Sequence, residues 1–302
     1  MAANTFANPT PYARAAIGAL SREIVLPRTV TRDYDVDFSA PMGTTVNVRV
    51  GALLSANENA DVNSEHTNAI SRSAITERSI AVVLDKLPYS AVPLTTENQT
   101  LQVEDFGARV LRPQAQAVAE KIEGYIAAAI SGATYETGYE IDLSEADPWG
   151  SIVDAGRLLN EANVPRGDRF IVCGPEAEAA ILKDPDFKAA DQTGTSEAFR
   201  EAIIGRRAGF TVIGSNAIET DEAYAYHKSA FILATRAPVG PMGSVNTSSA
   251  EYGGIAATWA AQWNEALLQN ESVVWSLAGT KAVYDANSAT EMVRAVKLTI
   301  GS

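Results

Sequence analysis

The sequence predicts an α+β fold, and three observations carry that prediction. Alternating apolar positions mark two strands, Thr44–Val50 and Thr76–Leu84, on either side of a long polar stretch. Apolar residues at three- and four-residue steps mark one long helix, Leu101–Ser131. Residues 151–234 then alternate helical and strand patterns before the chain returns to β patterns toward its carboxyl end.

The elements follow in order. Residues 1–30 are rich in Ala, Asn, Thr and Pro and hold only one short apolar patch, Ala15–Leu20, so they read as an arm with a short helix near Pro11–Leu20. In the first strand Val46, Val48 and Val50 share one face while Asn47 and Arg49 take the other. In the second, Ile80, Val82 and Leu84 alternate with small or polar residues. Between them Ser55–Arg72 is dense in Asn, Ser and Glu, and the whole reads as a hairpin with a long polar tip that projects from the body.

In the long helix Phe106, Val110, Ala117, Val118, Ile122, Tyr125, Ile126 and Ala129 form the apolar stripe. At about 1.5 Å per residue the run spans roughly 46 Å. Pro113 lies inside it, lacks a backbone donor and clashes near Arg109, so a bend is expected there. After an acidic segment, Tyr135–Gly150, come a helix at Ser151–Asn163, a short buried strand at Arg169–Cys173, and helices at Glu176–Leu182 and Ser196–Ile204. Ser196 supplies a cap to the last of these and Gly205 closes it. Strands are expected at Phe210–Ile213 and Tyr224–Ala234. Toward the end Ile255, Ala257, Trp259, Ala261 and Trp263 alternate, as do Val273, Trp275 and Leu277 and, more weakly, Val293, Ala295 and Lys297.

Composition excludes several classes of function. With 46% hydrophobic residues the 302-residue chain has ample core material. Its longest apolar runs, Tyr125–Ile130 and Ile255–Ala261, are far shorter than the roughly 18 residues of a membrane span. Cys173 is the lone cysteine and only His66 and His227 accompany it, which excludes a zinc ribbon and an internal disulfide and fits a reducing compartment. The net charge of −13 argues against wrapping nucleic acid by charge neutralisation. That charge is uneven. Arg14, Arg22, Arg28 and Arg32 against Glu23 leave residues 1–32 at +3, so the remainder holds −16.

Catalytic signatures are missing. No GxSxG occurs, and neither Pro238–Gly243 nor Gly205–Gly209 carries the Lys-Ser/Thr of a phosphate loop. The acidic groups at 136–147 and at Asp184, Asp186 and Asp191 lack metal-loop spacing and read as solvated surface. Trp259, Trp263 and Trp275 sit on strands, where packing explains them. No cofactor and no metal is expected.

An arm, a hairpin, a long helix and an α/β lobe in this order resemble a major capsid protein of a tailed bacteriophage, with the Hong Kong 97-type fold. The match rests on ARVLRPQAQAVAEKIEGYIAAAI, on RFIVCGPEAEAAIL, and on GRRAGFTVIGSNAI followed by AYAYHKSAFILAT. The resemblance implies an N-terminal arm (1–40), an extended β-hairpin loop (41–84), and a peripheral domain (85–146) with its spine helix at 101–131. An α/β axial domain (147–237) and a return to the peripheral domain with closing strands (238–302) would follow. It implies pentamers and hexamers that form an icosahedral head around double-stranded DNA, bound without sequence specificity and without a membrane. Such heads assemble in the bacterial host cytoplasm and end in the virion.

The extended loop then supplies candidate intersubunit contacts: the apolar face of Val46, Val48 and Val50, with little to cover it in its own subunit, and the mixed charges of Arg49, Glu58, Asp61, Glu65, Arg72, Glu77 and Arg78. Pro113 is the candidate bend of the spine helix. Only about 40 residues precede the first strand, so a separate scaffolding protein is expected, beside a portal and with room for a decoration protein. The loop up to Val83 has no lysine, so Lys–Asn crosslinks are not expected. An encapsulin-type nanocompartment shell is the alternative within the fold, and a soluble α/β enzyme on residues 151–237 is the alternative outside it.

Overall fold

The structure, a computed structural model, describes residues 24–32, 45–50, 56, 72, 74–75, 78–94, 110–143, 147–183, 206–239, 246–252, 255–264, 269–285 and 291–301. The expected helices near 11–20 and 196–204, His66 and the 184–191 acids lie outside the described residues.

Strands β1 (Thr45–Val50) and β2 (Arg78–Val83) form an antiparallel hairpin with Val48 opposite Ile80. After β3 (Tyr89–Leu94) comes α1 (Arg112–Ser131), then β4 (Glu140–Asp142), α2 (Pro148–Glu161), β5 (Arg169–Cys173) and α3 (Pro175–Lys183). The two-residue β6 (Arg206–Arg207), β7 (Phe210–Gly214), β8 (Glu222–His227) and β9 (Phe231–Arg236) follow. The chain ends with β10 (Asn246–Tyr252), β11 (Ile255–Asn264), β12 (Gln269–Trp275), β13 (Leu277–Ala282) and β14 (Ala295–Thr299).

The described strands make a six-stranded mixed sheet in the order β4-β14-β8-β5-β7-β6 and a four-stranded antiparallel sheet in the order β10-β11-β12-β3. Two ribbons, β1-β2 and β9-β13, complete them. Period-two alternation gives the six-stranded sheet two different faces. Tyr224 and Tyr226 of β8, Val172 of β5 and Ala295 of β14 join one core with Val118, Ile122, Ile126 and Ile130 of α1. Their neighbours Ala223, Ala225, Ile171, Cys173 and Val296 face the other way, into a core closed by Ile152, Ala155 and Leu159 of α2 and by Ile181 of α3. Small side chains on that face let the helices sit close to the sheet. Tyr224 stacks on Tyr135 at 5.9 Å between ring centres, and Tyr226 meets the edge of Phe231 at 5.3 Å.

Three expectations change. The single strand at Tyr224–Ala234 is two strands in different sheets, parted by a tight turn at Lys228–Ala230 where the His227 ring accepts the backbone N–H of Ser229 at 3.2 Å. The alternation Val273–Trp275–Leu277 is likewise divided. Ser276 is fully buried and its hydroxyl donates to the Ala256 carbonyl at 2.7 Å, after which β13 leaves the four-stranded sheet to pair with β9. Finally β14, and β4 before the axial segment, both belong to the six-stranded sheet, so that sheet reaches beyond residues 147–237 at both ends.

Two helix starts differ as well. Asp147 caps α2 by accepting the Gly150 N–H at 2.8 Å, with Pro148 in the first turn, so the helix begins three residues before Ser151. Helix α1 begins at Arg112 after a wide, π-type turn at 110–111, and Pro113 stands in its first turn. Leu111, just before the helix, is also helical at φ −67° and ψ −44°, so Pro113 stands where a π-type turn passes into the α-helix. Residues 101–109 lie outside the described residues.

Candidate intersubunit surfaces

The β9-β13 ribbon is the anchor for both appendages. On the free edge of β9, Thr31 donates its N–H to Phe231 O and accepts from Leu233 N–H, both at 3.0 Å. On the free edge of β13, Lys86 and Ala278 exchange two backbone bonds of 3.1 and 2.9 Å. The chain that follows the arm and the chain that follows the hairpin are therefore held on opposite edges of one two-stranded ribbon.

Each attachment is reinforced by buried side chains. The turn Leu26–Arg28 buries Leu26 and rests on α1, where Glu123, fully buried, accepts the N–H groups of Val25 and Leu26 at 2.8 and 3.2 Å. The Thr29 hydroxyl donates to Leu26 O at 2.8 Å and lies 2.6 Å from the Tyr226 hydroxyl. On the hairpin side Val48, Ile80, Val82 and Leu84 form a cluster with Ile232, Ala234 and Val283. Gly279 permits the close approach, because a Cβ there would sit 2.1 Å from the Val83 carbonyl oxygen. Further along α1, the Gln114 amide donates to Ser90 O at 3.1 Å and Ser272 O at 2.9 Å and accepts from the Ser272 hydroxyl at 2.8 Å, tying the helix to β3 and β12.

This geometry corrects one expectation. Val48 is 5% exposed, so this side chain is covered within its own chain by β9 and the segment after β13. Val46 lies opposite Val82, and Val50 opposite Arg78, in the same ladder. Arg49 and Arg72 are exposed. The side chains of Val46, Val50 and Arg78, and the residues Glu58, Asp61, Glu65 and Glu77, lie outside the described residues.

Outward-facing apolar residues instead cluster just past the hairpin. Val83, Leu87 and Tyr89 are exposed, Leu87 by 56% and Tyr89 by 70%, while their neighbours Val82, Leu84 and Pro88 are buried. Lys86 turns back over the Tyr125 ring of α1 at 5.5 Å. No sequence signal singled out Thr31, Lys86, Glu123 or Gly279. Glu123 interrupts the apolar stripe of α1, which was a usable hint of a buried acceptor.

Reactive chemistry finds no support among the described residues. Burial, with Glu178 second, pushes the Cys173 thiol up to about 12, which suits a packing residue rather than a nucleophile. Among the described residues no group of three or more His, Cys, Asp or Glu side chains is placed to hold a metal ion, and no helix is long and apolar enough to cross a membrane. A groove of about 700 Å³ does lie between the end of α2 and the β6–β7 turn, lined by Val153, Arg157, Asn160, Arg166, Arg169 and Gly209 among others. Arg169 is buried there, donating to the carbonyls of Pro165 and Val164 at 2.8 and 2.6 Å and to Asn160 Oδ1 at 2.9 Å. Burial, followed by the neighbouring Arg166, lowers its proton affinity.

Comparison with known proteins agrees with these features. A family model described as phage capsid protein matches residues 96–289. No curated protein matches the chain in sequence. Among solved structures, a chain from Mycobacterium phage Che8 is similar with a TM-score of 0.70 at 19% identity, covering 98% of both chains. The capsid structure of cyanophage P-SCSP1u is similar with a TM-score of 0.66 at 14% identity, covering 97% of this chain and 93% of the other. The capsid asymmetric unit of cyanophage Pam1 is similar with a TM-score of 0.65 at 12% identity, covering 100% and 99%.

Proposed function

We propose, for a chain that belongs to the phage capsid protein family, that its copies associate as pentamers and hexamers into an icosahedral head that encloses double-stranded DNA. A capsid protein of the Hong Kong 97-type fold is a structural protein, and its work is self-association.

One observation carries the finer reading. The chain that follows the arm and the chain that follows the hairpin are held on opposite edges of the β9-β13 ribbon, Thr31 on β9 and Lys86 on β13. Segments on opposite edges reach two different neighbours, which favours a continuous lattice over a closed dimer. Many weak contacts then add through multivalency. Arg49 and Arg72, exposed on the hairpin, are the described residues proposed to pair with neighbouring copies, beside Glu58, Asp61, Glu65, Glu77 and Arg78. Val46 and Val50 complete the proposed loop contacts.

The acidic body fits a container for DNA that does not adhere to it, because a negative inner wall repels the packaged phosphates. A separate scaffolding protein and a portal would guide assembly in the bacterial host cytoplasm, and a decoration protein would bind from outside.

The test is electron microscopy of the protein expressed with and without the phage's scaffolding gene, followed by nuclease treatment of heads from infected cells. Closed icosahedral shells and nuclease-protected DNA are expected. Soluble monomers under all conditions, or shells that carry a protein cargo and no genome, would overturn the reading.

A further inference from the structure

The six-stranded sheet has two chemically opposite edges. Among the described residues β4 pairs only with β14, and β6 only with β7, so each leaves one side open. Six strands at roughly 4.8 Å spacing put these edges about 24 Å apart. Helix α2 spans the same distance, since its 14 residues run about 21 Å. It starts at the β4 edge, where the Ser151 hydroxyl donates to Asp142 O at 3.0 Å. Its middle passes the Phe210 ring of β7, 3.4 Å from where a Cβ at Gly156 would be, and its last turn lines the groove beside Ala208 and Gly209 of the β6–β7 turn.

Charge follows this axis. The β4 edge carries Glu136, Glu140, Asp142 and Asp147, and the base opposite Glu140 in the ladder, Lys297 on β14, is already bound to Glu222 at 2.7 Å. At the other edge β6 consists of Arg206 and Arg207, and the adjoining groove adds Arg157, Arg166 and Arg169. Among the described residues the acids on this segment are Asp154, Glu161 and Asp168, and the first two are taken by Arg157 at 3.2 and 2.8 Å. A basic groove with an open strand edge, on a chain of net charge −13, fits an acidic partner.

We propose that in a ring of copies the basic β6 edge and groove of one subunit receive the acidic β4 edge of the next. This rests on the shell reading and names one contact of it. Both halves lie on one rigid sheet and at its opposite ends, which is the arrangement a head-to-tail interface needs in order to close into a ring. Complementary edges set register and speed association more than they add affinity. A role confined to one subunit also exists for these charges, because acids at the start of α2 and arginines at its end complement the helix dipole. That role would show in subunit stability, and the ring contact would not.

The test is a charge-swap cycle. R166E/R207E and E136K/E140K are each expected to lower the fraction of protein in rings and shells by about tenfold, and to leave the monomer melting temperature in place. A mixture of the two variants should recover rings with an even number of copies, in which alternating subunits join opposite charges at every contact, and one chain carrying all four substitutions should recover to within about twofold of wild type. Wild-type assembly by either double variant, or a four-fold variant as defective as its parents, overturns the contact. So does reduced monomer stability with unchanged assembly, or normal shells that only lose DNA. Should a reversal prevent folding, the rate of wild-type assembly decides instead, since it must slow as salt rises from about 50 to 300 mM. A wild-type chain that forms no ring under any condition removes the shell reading itself, and is distinguished from the other outcomes by that.

Discussion

Glu123 on α1 accepts the backbone N–H of Leu26, 97 positions earlier in the chain, at 3.2 Å, and also that of Val25 at 2.8 Å. One side chain on the long helix thereby satisfies two donors of the turn on which the arm is mounted. Glu123→Ala would leave both donors in a buried place without their acceptor. It is expected to cost about 2–3 kcal/mol in unfolding free energy, and to free the arm locally before the body unfolds. Urea titration gives the first quantity, and hydrogen exchange at residues 25–31 gives the second. Unchanged exchange there would show that the arm is held by Leu26 and Thr31 alone.

Gly279→Ala tests the seat of the hairpin. A methyl group 2.1 Å from Val83 O has no room, and the obstacle is backbone rather than a flexible side chain. The hairpin must lift from β13 or the ribbon must shift, at an expected cost above about 3 kcal/mol. The Lys86–Ala278 pairing should then lose its exchange protection, while the six-stranded sheet keeps its own. Calorimetry and exchange on the purified subunit measure both.

The β6–β7 turn offers a change in the opposite direction. Arg207 pairs with Phe210, and the two residues between them, Ala208 and Gly209, both have positive φ, 45° and 88°. That is the backbone of a type I′ turn, which suits Asn-Gly or Gly-Gly and strains alanine. Ala208→Asn is expected to stabilise the subunit by about 1 kcal/mol, read as a higher urea midpoint at constant slope.

Acid should loosen the crossing between β8 and β9. Burial, then Arg294, and also Arg169 hold the His227 imidazole below its usual proton affinity, against a smaller opposing effect of Asp168. Its Nδ1 accepts the Ser229 N–H and lies 2.8 Å from the Ser229 hydroxyl, which in turn accepts from Arg294 at 2.8 Å. The unfolded chain therefore binds a proton here at a higher pH than the folded chain does. Stability contributed by neutral His227 is present above about pH 6.5 and falls as pH drops below it, levelling off beneath the folded value. Urea midpoints of wild type and His227→Asn across pH 7.5 to 5 should differ in slope by this one proton. Parallel curves would remove His227 from the acid response.

Local pattern alone determined much of this molecule. The β1 and β2 strands, the buried run Arg169–Cys173 and the apolar stripe of α1 were legible because side-chain period reports directly which face is buried. Period does not report which partner buries it. The same alternation runs through Tyr224–Ala234 and through Val273–Leu277, yet each is cut into two strands in different sheets, because turn chemistry at His227 and a buried Ser276 redirect the chain. Val48 was read correctly as one face of a strand and wrongly as uncovered, since its cover, Ile232 and Val283, lies far along the sequence. The joining of Thr31 to β9, of Lys86 to β13 and of β14 to the six-stranded sheet are pairings between distant segments with no local mark. Tertiary structure decided those, because a backbone hydrogen bond in a sheet asks only for an open edge at the right distance, and only the folded chain supplies the distance.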